Sequence, residues 1–84
     1  MSQLIEETLF ALLSQVQKGE SINPNDVAKT INRETWQREL PKVRAVAIGL
    51  ARQGRLEILR KGKPIEPEGF KGVYRLRMPV VSGE

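Results

Sequence analysis

The chain has 84 residues and a formal net charge of +4, a length that fits one small domain burying only about 60% of the surface exposed by its unfolded chain. It contains neither cysteine nor histidine, which excludes disulfides, thiol catalysis and cysteine-ligated metals. Carboxylates alone would remain as metal ligands, and we expect neither a metal nor another cofactor.

Positive charge is concentrated in the second half of the chain. Residues 1–40 carry four basic and six acidic side chains, whereas residues 41–81 carry ten basic side chains and three acidic ones. This asymmetry is typical of a domain that binds a polyanion. A basic face that is simply solvated is the alternative interpretation.

The first residues of the sequence lack the features of a signal peptide. Glu6 and Glu7 occur where a signal peptide would carry lysine or arginine, and the longest apolar run is residues 9–13. A membrane span needs about 20 apolar residues. The sequence therefore predicts a cytoplasmic protein.

The first predicted element is a helix over residues 4–17. Its apolar side chains recur on one face at helical spacing; they are Ile5, Leu9, Leu12, Leu13 and Val16. Phe10 lies at the edge of this face. It has two interpretations: packing beneath the C-terminal tail, or contact with another protein chain.

A short second helix is predicted after a possible strand at residues 20–22. Asn23 is a favourable N-cap and Pro24 fits the first helical position, while Val27, Ala28 and Ile31 form the inward face. The helix should end near residue 32 or 33. With a third helix following, this is the layout of a helix-turn-helix.

Residues 35–40 connect the second helix to the third. Leu40 precedes a proline and is biased away from helical geometry. The only tryptophan, Trp36, is interpreted as an anchor of the second helix on the third, since a large aromatic contributes strongly to so small a core. Stacking on a nucleic-acid base is the alternative.

The longest helix, predicted for residues 40–54, organises the chain. Its inward stripe has the i, i+3, i+4, i+7 spacing and consists of Val43, Val46, Ala47 and Leu50. Gly54 supplies the residue type that ends a helix in the left-handed conformation.

The outward side of this helix is smooth and basic. Lys42, Arg44 and Arg52 are its cations, and only Arg44 and Arg52 are expected to reach base edges, which predicts weak sequence specificity. Ile48 also points outward and is a candidate for protein contact. Gly49 indicates either close approach of a partner or a simply tolerated glycine.

After the helix the period changes from 3.6 to 2, predicting strands at residues 55–60 and 73–78. They should pair as an antiparallel hairpin, with Glu57 offsetting Arg75 or Arg77 across it. The connection is predicted to be a long wing loop whose charge Glu66 and Glu68 partly cancel. Residues 79–84 should form a loose tail.

The order of these elements is that of a winged helix-turn-helix, and particular segments resemble a bacterial family of small winged-helix domains with no assigned function. The resemblance covers about residues 4–77 and rests on NPNDVA at 23–28, Trp36, LPKVR at 40–44, GRLE at 54–57, KGKPI at 61–65 and FKGVYRL at 70–76. It implies an α+β fold of three helices followed by a β-hairpin wing, in one domain spanning residues 1–84. In winged helices generally, the third helix lies in the major groove and the wing reaches phosphates.

Two functions follow from these features. The first is binding of nucleic acid, foremost duplex DNA, through phosphate contacts of Lys42, Arg44, Arg52, Arg60, Lys61, Lys63 and Lys71. The alternative is a protein-interaction or homodimerisation module that uses Phe10 and Ile48. No catalytic residues are identified and no enzyme activity is expected.

Overall fold

The structure is a computed structural model that describes residues 2–79 and the burial of side chains from residue 3 onward. It is an α+β domain of three helices and a four-stranded antiparallel sheet with strand order β1-β4-β2-β3. The elements are α1 (Ser2–Leu13), β1 (Ser21–Ile22), α2 (Pro24–Ile31), α3 (Trp36–Arg52), β2 (Glu57–Arg60), β3 (Lys63–Ile65) and β4 (Arg75–Arg77).

One hydrophobic core joins the three helices to the sheet. Leu9 of α1, Val27 of α2, Val43 and Ala47 of α3 and Leu76 of β4 all have no exposed surface. The predicted inward stripe of the long helix is confirmed, except that Val46 is only half-buried. Burial of this stripe determines which side of α3 faces solvent.

The first helix is shorter than predicted, since it ends at Leu13 rather than near residue 17. Tight turns follow, with the Gln15 amide donating to the Leu12 carbonyl at 3.1 Å. These turns keep Val16 against the core, so the helical spacing of apolar residues continues beyond the helix itself. The spacing of apolar residues alone therefore predicts a longer α1 than the structure contains.

The predicted start of α2 is confirmed. The Asn23 side chain accepts a hydrogen bond from the Asn25 amide at 2.9 Å, and Pro24 occupies the first turn. The cap satisfies an amide that the helix itself leaves without a partner. This junction sets the direction in which α2 leaves the sheet.

Helix α3 begins at Trp36, so the expectation that Leu40 avoids helical geometry is wrong. Pro41 lies inside the helix, where its ring removes only one backbone hydrogen bond close to the helix start. Packing compensates: Trp36 and Leu40 both contact the core, and the Lys29 ammonium lies 4.8 Å from the centre of the Trp36 ring. Trp36 thus joins α2 to α3, as predicted.

Strands β2 and β4 pair as the sequence predicts, with Ile58 opposite Leu76. Glu57 lies opposite Arg77 and accepts from its Nε at 2.8 Å, which confirms the expected charge compensation. Ile22 of β1 pairs with Leu76 from the other side, so the possible short strand before α2 is also confirmed. Strand β4 therefore lies in the interior of the sheet.

The predicted single loop between the two hairpin strands is wrong in one respect. Residues 63–65 form strand β3, which pairs with β2 across a two-residue turn at Lys61 and Gly62. Both turn residues have positive φ, 55° and 81°, as in the type I′ turns that favour tight hairpins. Pro64 is tolerated because β3 is an edge strand. The remaining loop is residues 66–74.

The predicted loose tail, residues 79–84, lies outside the described residues except for Pro79.

The central position of β4 makes a direct stability prediction. Leu76→Ala should lower the free energy of unfolding by about 2–5 kcal/mol, because it leaves a cavity where helices and sheet meet. Val73→Ala, at a side chain that is 82% exposed, should change it by less than about 0.5 kcal/mol. Urea denaturation followed by circular dichroism measures both. Equal effects of the two variants would contradict this packing.

Candidate nucleic-acid interface

The solvent side of α3 is a single stripe of basic and very small residues. At about 100° per residue, the stripe opposite the buried face contains Arg38, Lys42, Ala45, Gly49 and Arg52, all of which are exposed except the half-buried Gly49. A Cβ on Gly49 would meet no atom of the described chain within 4 Å outside the adjacent helix backbone. No close packing within the domain requires this glycine.

Sequence reasoning missed Arg38 as part of this surface. The sequence places Arg38 in the connection of residues 35–40, because Leu40 precedes a proline and is biased away from helical geometry. Trp36 and Leu40, spaced by four residues on the inward side, were the signal that the helix begins earlier.

Two cations of the stripe have acidic neighbours. The Lys42 ammonium lies 3.8 Å from a Glu39 carboxylate oxygen. An Arg52 guanidinium nitrogen lies 3.1 Å from a carboxylate oxygen of Glu68, and the Arg52 and Glu68 side chains are 58% and 71% exposed. Exposed pairs of this kind contribute only about 0.2–1 kcal/mol, so both cations can exchange their partner for another anion.

Arg44 is placed differently from the other predicted contact residues. Its Nη2 donates to the Phe70 carbonyl at 2.7 Å, and its guanidinium carbon lies 4.0 Å from the centre of the Phe70 ring. Phe70 is itself buried and packs edge-on against Tyr74. Arg44 therefore fastens the loop of residues 66–74 to α3 instead of extending into solvent.

This loop passes alongside α3. Glu68 reaches Arg52 and Phe70 reaches Arg44, two positions that are eight residues apart on the helix. Ile48, midway between them, is half-buried and packs against the core. The predicted protein-contact candidate on α3 is thus partly covered.

The turn between β2 and β3 forms a basic tip. Lys61 and Lys63 are exposed, and Arg60 is half-buried. The Arg60 guanidinium lies beside Gly72, where a Cβ would be 3.0 Å from Nη1. Arg60 therefore lies between the tip and the loop of residues 66–74. Lys71 in that loop is exposed.

Two surface grooves connect the basic tip to α3. One is lined by Arg60, Lys61 and Gly62 on the hairpin side, and the other by Gln37, Leu40, Pro41 and Arg44 on the helix side. Val73 and Tyr74 line both. Val73 and Tyr74 therefore lie between the hairpin tip and the N-terminal half of α3.

Phe10 lies near the residues that follow α3, beside the C-terminal segment. It is half-buried and lines a groove with Met78 and Pro79, and the Arg55 guanidinium carbon is 5.2 Å from its ring centre. This placement agrees with packing beneath the C-terminal segment as far as Pro79. Met78 remains 44% exposed.

Titratable groups offer little chemistry within residues 2–79. No group of three or more acidic side chains there is arranged to hold a metal ion. Burial raises the pKa of the Tyr74 phenol, and the nearby positive charge of Arg44 partly opposes that rise. The site is defined by its charge and shape.

The fold and its basic surface define an α+β domain with an exposed cationic face. A family model described as "Protein of unknown function (DUF3253)" matches residues 2–79, and the chain belongs to that family. A search of curated proteins finds no match.

Among the described helices, none combines the length and the apolar character that crossing a bilayer requires.

The strained tip gives a prediction. Lys61→Asn should raise the free energy of unfolding by about 0.5–1 kcal/mol, because asparagine adopts positive φ at lower cost than lysine. Lys63→Gln removes the same charge where the backbone is an ordinary strand, and should change stability by less than about 0.5 kcal/mol. Thermal and urea unfolding measure both, and a Lys61→Asn variant no more stable than Lys63→Gln would argue against the turn geometry.

Proposed function

We propose that this protein is a winged-helix domain that binds duplex DNA with weak sequence preference. In this proposal α3 lies in the major groove, and the β2–β3 hairpin with the loop of residues 66–74 forms the wing. The order of helices and the pairing of β4 between β1 and β2 support the fold assignment. The role needs neither catalysis nor a cofactor.

The observation that carries the proposal is the juxtaposition of the basic tip with the N-terminal half of α3. Lys61 and Lys63 of the tip and Arg38 and Lys42 of α3 are exposed, and the groove beside the tip and the groove beside α3 share Val73 and Tyr74. The proposed phosphate contacts are Arg38, Lys42, Arg52, Lys61, Lys63 and Lys71. Arg44 supports the interface by holding the loop in place, and Arg60 lies against the same loop at Gly72.

The centre of the α3 stripe accounts for the weak specificity. Base edges are read mainly by Arg, Lys, Asn and Gln side chains, whereas Ala45 and Gly49 occupy the middle of the exposed face. Side chains this small allow the helix to approach the groove floor without selecting a base. Affinity then comes from phosphates, which position a protein without specifying sequence.

A salt series tests this proposal. If about five of these cations neutralise phosphates, log K should fall against log salt concentration with a slope near −4.5. Fluorescence anisotropy with a labelled duplex measures the slope. Two duplexes of unrelated sequence should bind with similar affinity.

A matched pair of variants locates the interface. Lys61→Gln should reduce the magnitude of the slope by about 1. Lys18→Gln removes the same charge from the connection before β1, which enters the sheet at the end opposite the β2–β3 turn, and should leave the slope unchanged. A slope near zero for the unmodified protein would remove the DNA proposal. Together with a dimeric solution mass, it would favour the protein-interaction alternative.

The Arg52–Glu68 pair gives a prediction of opposite sign. Glu68→Gln should increase DNA affinity about two- to fivefold, because it frees Arg52 and removes a charge that repels phosphate. Glu66→Gln removes the same charge from the same exposed loop, at a residue with no ion pair among residues 2–79, and should have a smaller effect. Weaker binding by Glu68→Gln would place Arg52 outside the interface.

A further inference from the structure

The groove between α2, α3 and the loop of residues 66–74 has the properties of a small-molecule site. It has a volume of about 580 Å³, within the range of about 300–1,000 Å³ that is usual for ligand sites. Leu40, Pro41, Val73 and Tyr74 form its apolar walls, and the amide side chains of Asn25 and Gln37 lie at its edge. Apolar walls with a few polar groups are typical of sites for organic ligands.

The positive charge of the groove favours a negatively charged ligand. Arg44 is the only charged side chain among the described residues that line it, and none of them is acidic. A guanidinium has five N–H donors, and the Phe70 carbonyl accepts from one nitrogen of Arg44. Donors therefore remain for an anion, and Arg–carboxylate pairing is among the stronger polar contacts.

Arg44 is also held in position. Its contacts with the Phe70 carbonyl and ring restrict the guanidinium before any ligand arrives. A pre-positioned side chain loses less conformational freedom on binding than a flexible one. Tyr74, whose ring packs edge-on against Phe70, lines the same groove.

We propose that this groove binds a small organic acid with one negative charge, whose carboxylate pairs with Arg44 and whose apolar body lies between Pro41 and Val73. The apolar walls favour an aromatic or branched aliphatic body over the strongly hydrated phosphate of a nucleic-acid backbone. The groove shares Arg44, Val73 and Tyr74 with the proposed DNA interface, but ligand binding does not require DNA, and its test uses no nucleic acid.

The experiment compares two probes of nearly equal shape, indole-3-acetate and indole-3-acetamide, by nitrogen–proton correlation spectra of the labelled protein. We expect indole-3-acetate to shift the amides of Asn25, Gln37, Gly72 and Val73 saturably. It should bind at least about fivefold more tightly than the uncharged amide. Inorganic phosphate should leave these signals in place.

Variants identify the groups responsible. Arg44→Gln should abolish the preference for the acid over the amide, whereas Arg38→Gln on the exposed stripe of α3 should preserve it. Because Arg44→Gln also removes the contact that holds the loop, we add two variants of Val73, which is 82% exposed and can be changed without disturbing the fold. Val73→Glu should lower the affinity for indole-3-acetate severalfold, and Val73→Lys should not.

Three results would overturn the proposal. Equal affinity for acid and amide in the unmodified protein would remove the role of Arg44. Shifts confined to the basic tip or to the Arg38 stripe would show general attraction of anions. Identical binding by Val73→Glu and Val73→Lys would place the ligand outside the groove.

Discussion

Burial of one face of α3 is the constraint on which the rest of the molecule depends. Val43, Ala47 and Leu50 are removed from water by α1, α2 and the sheet, and the hydrophobic effect makes rotation of the helix about its axis costly. The rotational setting of α3 then dictates which residues face outward. It leaves Ala45 and Gly49 flanked by cations, and it turns Arg44 toward the loop of residues 66–74.

Some cations of this domain contact protein groups, whereas others extend into solvent. Arg44 contacts the Phe70 carbonyl and ring, Arg77 pairs with the Glu57 carboxylate, and the Arg60 guanidinium lies beside Gly72. The lysines of the hairpin tip and of the loop remain in solvent. This division fits the chemistry of the two side chains, because arginine makes several directed contacts with a planar group while lysine is a strongly hydrated point charge. The number of basic side chains in the sequence therefore overstates how many of them extend freely toward a partner.

Local rules predicted the parts of the fold that depend on local chemistry. Asn23 and Pro24 predict the start of α2. Gly54, with its φ of 76°, follows the end of α3. Alternation of apolar and polar residues around Ile58 and Leu76 predicts that their strands pair. Strand β3 was missed because a lysine, a glycine and a proline in sequence resemble a loop, although Lys61 and Gly62 together build a tight turn. The role of Arg44 could not be inferred either, since Phe70 is 26 residues away along the chain. Such contacts depend on the path of the loop across the helix, and the local spacing of apolar residues does not predict that path.

The middle of the exposed α3 face, where Ala45 and Gly49 lie, gives the helix a shallow trough rather than a row of protruding groups. The curvature and width of a partner surface, rather than its individual chemical groups, would determine whether it fits this trough.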